Sequence, residues 1–310
     1  MISFDHVSKR YGTLNALQDI TFSVPKGQVV GLLGQNGAGK TTAMNILTGC
    51  LAPSAGSVSI NGKDVLLRPR EAKRMIGYLP EAAPIYDEMT VRAYLHFACE
   101  LKEVKKRAIA GHVETVAEKT GLADVLDRKI GNLSKGYRQR AGVAQALCGA
   151  PEVIVLDEPT AGLDPRQNSE MRNLILSLAG EHTILLSSHI LSEVQAVCSR
   201  VLILHHGKII CDRTLHDLHG KEHRLRAVID SCDEKLLPAL RQLHSVLRVE
   251  MEANPNGALT QAVLTVDGSG LAERELFTLL SALQIPLLRL SPVEDSLEDV
   301  FLRATMDETA

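Results

Sequence analysis

Gly34-Gln35-Asn36-Gly37-Ala38-Gly39-Lys40-Thr41, followed by Thr42, is the stretch on which the reading of this chain turns. It fits the pattern G-x-x-x-x-G-K-[ST]. Glycines in such a loop let backbone N–H groups turn toward phosphate oxygens with no Cβ in the way. Lys40 is then expected to reach the β- and γ-phosphates of a nucleotide, and the Thr41 hydroxyl to bind Mg²⁺. The flanks agree: Val29 to Leu33 is a short apolar run that suits a buried strand, and Lys40 to Thr48 has helical character. A helix beginning near Gly39 points its positive end at the anion.

Outward from the loop, short apolar runs alternate with helical patterns up to about residue 215. Ile20–Val24, Val29–Leu33, Ser57–Ile60, Ile76–Leu79, Val153–Leu156, Thr183–Leu186 and Arg200–Leu204 read as strands, bounded by turn formers such as Pro25-Lys26-Gly27 and Asn61-Gly62. That order predicts an α/β domain with a mainly parallel core sheet. Residues 89–150 carry no strand run and read as a helical insertion.

Composition sets the outer bounds. A chain of 310 residues suggests about two domains. Hydrophobic residues make up 45% and charged residues 23%, which excludes disordered and fibrous classes. A net charge of −3 argues against a general nucleic-acid binder, and none is expected as a partner. Apolar runs fall well short of the ~18 residues a membrane span needs. The N-terminus, MISFDHVSKRYG, lacks the pattern of a secretory signal. The six cysteines form no C-x-x-C pair and are expected to be reduced, buried thiols in a cytosolic protein.

Further motifs carry chemistry. Val153-Ile154-Val155-Leu156-Asp157-Glu158 is a buried strand ending in two carboxylates, at the sheet edge where α/β proteins bind ligands. There Asp157 could hold Mg²⁺ through water, and Glu158 could take a proton from an attacking water. Leu133-Ser134-Lys135-Gly136-Tyr137-Arg138-Gln139-Arg140 opens a helix with hydroxyl and backbone donors. Taken alone, it reads as an ordinary capped helix with an Arg-rich face.

These segments, together with Ala161-Gly162-Leu163-Asp164 and His189, occur in an order that resembles the ATP-binding-cassette ATPases, the nucleotide-binding subunits of ABC transporters. The resemblance implies ATP and Mg²⁺ as ligands and a homodimer that sandwiches two ATP molecules head to tail. Ser134 and Gly136 of one subunit would then contact the γ-phosphate held by the other, and Asp164 would cross the interface. Tyr11 matches the aromatic that stacks on adenine, and His189 the histidine that holds the γ-phosphate and Glu158. Glu81 stands where the family usually has Gln, the residue that senses Mg²⁺ and links to the membrane partner. A carboxylate can approach a metal but cannot donate as an amide does, which leaves the sensing role open. Lys135 and Tyr137 replace the usual Gly and Gln.

The implied architecture is an ABC ATPase domain over residues 1–219, with a helical subdomain at about 82–150 facing a separate permease. Tyr86, Met89, Val91 and Tyr94 are candidate permease contacts, and Lys102, Lys105, Lys106 and Arg107 a solvated basic face. Residues 220–310 read as a small α+β domain of ferredoxin-like layout, βαββαβ plus a last helix at Ser296–Ala304, with a turn at Asn254-Pro255-Asn256-Gly257. The tail Asp295–Leu302 is similar to that of exporter-type cassettes. The function implied is an ATP-hydrolysing subunit on the cytoplasmic face of a membrane, energising an exporter. Two rivals are a soluble cassette ATPase acting on ribosomes or DNA, and a non-enzymatic nucleotide sensor.

Overall fold

In the computed structural model, residues 1–215, 223–230, 236–252, 259–267 and 270–292 are described. The chain divides into two compact units, one built on Met1–Leu215 and one starting at His216.

The first unit opens with two antiparallel strands, β1 (Ile2–Tyr11) and β2 (Leu14–Val24), whose inward faces meet in a Phe4–Phe22 stack with ring centroids 4.4 Å apart. Next come β3 (Val29–Leu33), α1 (Lys40–Leu47), β4 (Ala55–Ile60) and β5 (Lys63–Asp64). β1, β2, β4 and β5 form an antiparallel sheet of order β2-β1-β4-β5. The runs at Ile20–Val24 and Ser57–Ile60 therefore lie outside the parallel sheet. Their alternation of buried and exposed residues is that of a sheet covered on one face. β1 is not among the runs the sequence pattern marks. Register shifts between Phe4 and Arg10 break its alternation and let consecutive polar residues stand side by side.

The chain continues through α2 (Pro69–Met75), β6 (Ile76–Leu79), α3 (Val91–Leu101), α4 (Lys106–Thr120), α5 (Lys135–Leu147), β7 (Val153–Asp157), α6 (Pro165–Leu178), β8 (Thr183–Ser188), α7 (Leu191–Val197), β9 (Arg200–His205) and β10 (Lys208–Thr214). The core sheet has the order β10-β9-β3-β8-β7-β6, parallel from β9 to β6 with β10 antiparallel at the edge. β3, β7 and β8 are buried along their whole length, which is why they carry the apolar runs Val29–Leu33, Val153–Leu156 and Ile184–Leu186. Register aligns Leu33 with Ser188 and Asp157 with Ser187, so the chemistry-bearing residues gather at one edge. Gly77 of β6 lies so close to the Ala146 carbonyl of α5 that a Cβ would collide with it. Gly77→Ala is expected to destabilise the fold by about 1–3 kcal/mol, read as a lowered thermal midpoint.

Residues 82–150 hold α3, α4 and α5 with two 3₁₀ turns. Thr90 caps α3, its side chain accepting from the Ala93 amide. Val91, Tyr94, Leu95, Ala98 and Cys99 form the buried stripe of that helix. Val91 and Tyr94 thus belong to the core, contrary to the reading of them as contacts. Tyr86, Phe97 and Leu101 are exposed instead, and with Tyr94 they line a groove of about 550 Å³. Lys102 is likewise no part of a solvated face: its ammonium donates to the carbonyls of Lys73 and Ile76 at the end of α2. Burial lowers its pKa. The five described cysteines are free thiols; three are buried, but Cys50 is exposed and Cys211 half-buried. Among the described residues no helix is long and apolar enough to cross a membrane.

The second unit runs β11 (His223–Ile229), α8 (Leu236–Leu240), β12 (Val246–Glu252), β13 (Thr260–Val266), α9 (Ala272–Ala282) and β14 (Leu287–Pro292). Its strands make one antiparallel sheet of order β12-β13-β11-β14. Leu225, Ala227 and Ile229 pack with Ala262, Leu264, Leu276 and Leu280 in its core. The turn at 254–257, the tail 295–302 and the last helix at 296–304 lie outside the described residues.

Candidate functional site: a cleft over the glycine loop

The loop that leaves β3 and feeds α1 needs its glycines. Gly39 caps α1 at φ 111°, and a Cβ there would stand 2.5 Å from the Ala16 carbonyl oxygen. A Cβ on Gly34 would stand 2.5 Å from the carbonyl of Leu204. The Gly207 amide donates to Ala38 at 3.0 Å and ties the β9–β10 turn to the loop.

A cleft of about 720 Å³ opens over this loop. Of the residues singled out in the sequence, Tyr11, Gln35, Asn36, Gly37, Gly39, Lys40, Thr41, Thr42, Glu81, Glu158 and His189 line it. Gly34 and Ala38 do not: they sit behind the surface, Ala38 donating its amide to Gln35 at 3.1 Å. Tyr11 is 47% exposed, an aromatic face open to a flat ligand.

Three charged or titratable groups converge on the floor. Lys40 Nζ donates to the Gly34 carbonyl at 2.7 Å and stands 3.4 Å from Glu158 Oε1. Glu158 Oε2 is 2.8 Å from His189 Nδ1. Lys40 and Glu158 are only 6% and 7% exposed, so water screens this pair weakly. Glu158 holds a left-handed backbone, φ 50°, a conformation that costs on the order of 1–3 kcal/mol in a residue with a side chain. Its amide donates to Ser187 Oγ at 3.0 Å, and the same hydroxyl donates to Asp157 Oδ1 at 2.5 Å.

Asp157 lies beneath the cleft surface and is fully buried; its second oxygen, Oδ2, has no hydrogen-bond partner among the described residues. Such an orphaned anionic oxygen is costly unless a cation faces it. Nearby, burial and then the Asp157 charge push the Tyr78 phenol above its usual range.

Ser134 and Gly136 lie away from this cleft. Ser134 is exposed and caps α5, and Gly136 packs closely on the Gln167 side chain. Asp164 caps α6, accepting from the Gln167 amide at 2.8 Å. Sequence reasoning missed Ser187, two residues before His189; only the β7–β8 register puts Ser187 opposite Asp157. It also missed Ala16, Gln18 and His206, which line the cleft without any motif to mark them.

Known proteins resemble this chain in sequence and fold. The family described as "ABC transporter" matches residues 17–161. The chain is 37% identical to the ABC transporter ATP-binding protein NatA of Bacillus subtilis, over 72% of this chain and 93% of that one. It is 32% identical to the bacitracin transport ATP-binding protein BcrA of Bacillus licheniformis, over 98% of this chain and 96% of the relative. Nod factor export ATP-binding protein I of Burkholderia orbicola is 37% identical, over 71% and 73% of the two chains. Among solved structures, the ATP-binding subunit of an ABC transporter superposes with a TM-score of 0.64 at 29% identity, covering 71% of this chain and 92% of that one. The dimeric cassette MJ0796 shares the fold, with a TM-score of 0.63 at 22% identity over 69% and 99% of the two chains. The glycine loop, the Lys40–Glu158–His189 floor and these relatives together place the chain in the ABC transporter family, as an ATP-hydrolysing, ATP-binding subunit.

Proposed function

We propose that the chain works as a homodimer that energises a separate membrane permease, and that the transporter exports its substrate. The observation that carries the catalytic part is the convergence of Lys40, Glu158 and His189 on one floor. With ATP in the cleft, Tyr11 stacks on adenine and the backbone of Gly37 and Gly39 faces the phosphates, with Gln35, Asn36 and Thr42 along the walls. Glu158 accepts a proton from the attacking water, and His189 holds the carboxylate by its Nδ1. Lys40 then turns from Glu158 to the β- and γ-phosphates. Ser134 and Gly136 act on the ATP of the second copy, which accounts for an exposed helix start that serves no group in its own cleft.

Mg²⁺ fits the donor set. Asp157 Oδ2 is a buried carboxylate oxygen without a partner among the described residues, and Thr41 and Glu81 line the cleft with further oxygens. Mg²⁺ takes hard oxygen ligands from one or two carboxylates plus substrate phosphates. When bound, it would neutralise charge developing on the phosphoryl oxygens. A steady-state phosphate-release assay tests the enzyme reading: turnover is expected with Mg²⁺ and its loss on chelation. A chain that binds ATP without hydrolysing it would be the sensor of the rival reading. Tyr11→Ala is expected to weaken ATP binding by about 1–3 kcal/mol, roughly 5- to 150-fold, while Tyr11→Phe stays near wild type. Equilibrium titration with ATP checks both.

For the permease, the groove whose exposed walls are Tyr86, Phe97 and Leu101 is the docking surface we favour. Export is favoured by the names of the bacitracin-transport and Nod-factor-export relatives. The cytoplasmic face of a membrane follows from that partner. Residues 220–310 are read as an accessory domain of ferredoxin-like type, supported by the sheet order β12-β13-β11-β14 with helices in both crossovers.

A further inference from the structure

We propose that Glu193 is a positioning residue that locks the Glu158 and His189 loops together from outside the cleft. Glu193 is in the first turn of α7 and does not line the cleft. Its Oε2 accepts a hydrogen bond from Thr160 Oγ1 at 2.5 Å and another from Ser188 Oγ at 3.1 Å. Thr160 is two residues beyond Glu158, and Ser188 immediately precedes His189. One carboxylate oxygen thus bridges the two segments whose side chains meet at 2.8 Å in the floor.

Each end of the bridge is tied to backbone. The Ala161 amide donates to the Glu158 carbonyl at 3.1 Å, and the Leu163 amide to the Thr160 carbonyl at 3.2 Å, so Thr160 anchors the turn that follows Glu158. Ser188 Oγ gives its proton to Glu193 and accepts from the Ile190 amide at 3.0 Å, which holds the backbone on both sides of His189. Thr160 and Ser188 are 6% and 1% exposed, so water cannot readily replace the carboxylate. Ser187 ties the same segments on the strand side, through Asp157 and the Glu158 amide. Glu193 ties them on the other side. The left-handed backbone of Glu158 is the conformation such a double tie must maintain.

This inference rests on the reading of Glu158 as general base, so Glu158→Gln is assayed in parallel. The test is steady-state hydrolysis by the full chain with Mg²⁺ and ATP. Glu193→Ala is expected to lower kcat roughly 10- to 100-fold, as displacement of a reacting group by about an ångström does. KM for ATP should stay near wild type, while the two buried hydroxyls left without their acceptor lower the thermal midpoint by a few degrees. Glu193→Gln, whose Oε1 can accept both hydroxyls, should recover kcat to within about threefold of wild type. In a Thr160→Val, Ser188→Ala background, Glu193→Ala should cost little more. Wild-type kcat in Glu193→Ala, a Gln variant as impaired as the Ala variant, or fully additive losses would overturn the proposal. If Glu193→Ala does not fold, unchanged kcat in the Thr160→Val, Ser188→Ala variant overturns it. Wild-type turnover in Glu158→Gln would instead remove the general-base reading beneath it.

Discussion

Glu158→Gln lowers steady-state phosphate release by roughly 10²–10⁴-fold while leaving ATP-induced dimerisation intact; this is the largest catalytic effect expected from a single change in the chain. The amide keeps the shape of the carboxylate and can still meet His189, which is 2.8 Å away. It cannot accept a proton from water. The nucleotide contacts proposed for the glycine loop and for Tyr11 are untouched, so ATP should bind and hold two copies together. Size exclusion with ATP, beside a phosphate-release assay, separates the two consequences. Hydrolysis at the wild-type rate would remove Glu158 from the role of base.

Lys40→Ala has the second large effect, on affinity. Lys40 Nζ is buried and charged, shared between the Gly34 carbonyl and Glu158. In the proposed complex Lys40 faces the β- and γ-phosphates of ATP, and truncating one partner of such a buried charge pair costs about 2–5 kcal/mol, roughly a 30- to 4,000-fold rise in the Kd for ATP. The same truncation leaves Glu158 facing only His189, so the nucleotide-free chain should lose stability as well. The two losses can be told apart. In a Lys40→Ala, Glu158→Gln double variant the unpaired charge is gone, and the thermal midpoint should recover while ATP affinity stays low. Unchanged ATP binding in Lys40→Ala would contradict the loop's part in holding phosphate.

Legibility in the sequence follows locality. The glycine loop and the strand ending in Asp157-Glu158 are contiguous, and their spacing alone carries the chemistry. β3, β7 and β8 are buried on both faces and therefore stand out by their apolar stretches. β1 was illegible because its bulges break the alternation, and the pattern could not separate the antiparallel sheet from the parallel one. Lys102 looked like part of a basic surface, yet its head serves the carbonyls at the end of α2, which lies distant in sequence. Val91 and Tyr94 are apolar residues on a helix, and which face is buried depends on where α4 and α5 pack. Ser187 and Glu193 act through register and through hydroxyls on separate loops; nothing local marks them.

If this ATPase drives a membrane permease, a pull-down in mild detergent recovers that permease with it. The bait is the full chain carrying Glu158→Gln, with ATP bound to hold the closed state, and partners are identified by mass spectrometry. Recovery of one multi-span membrane protein in stoichiometric amount is the expected result. Lower recovery after substitution of Tyr86 and Leu101, which line the exposed groove of the helical region, would tie that partner to the groove. A soluble ribosomal or DNA-associated partner, with no membrane protein present, would contradict the transport role.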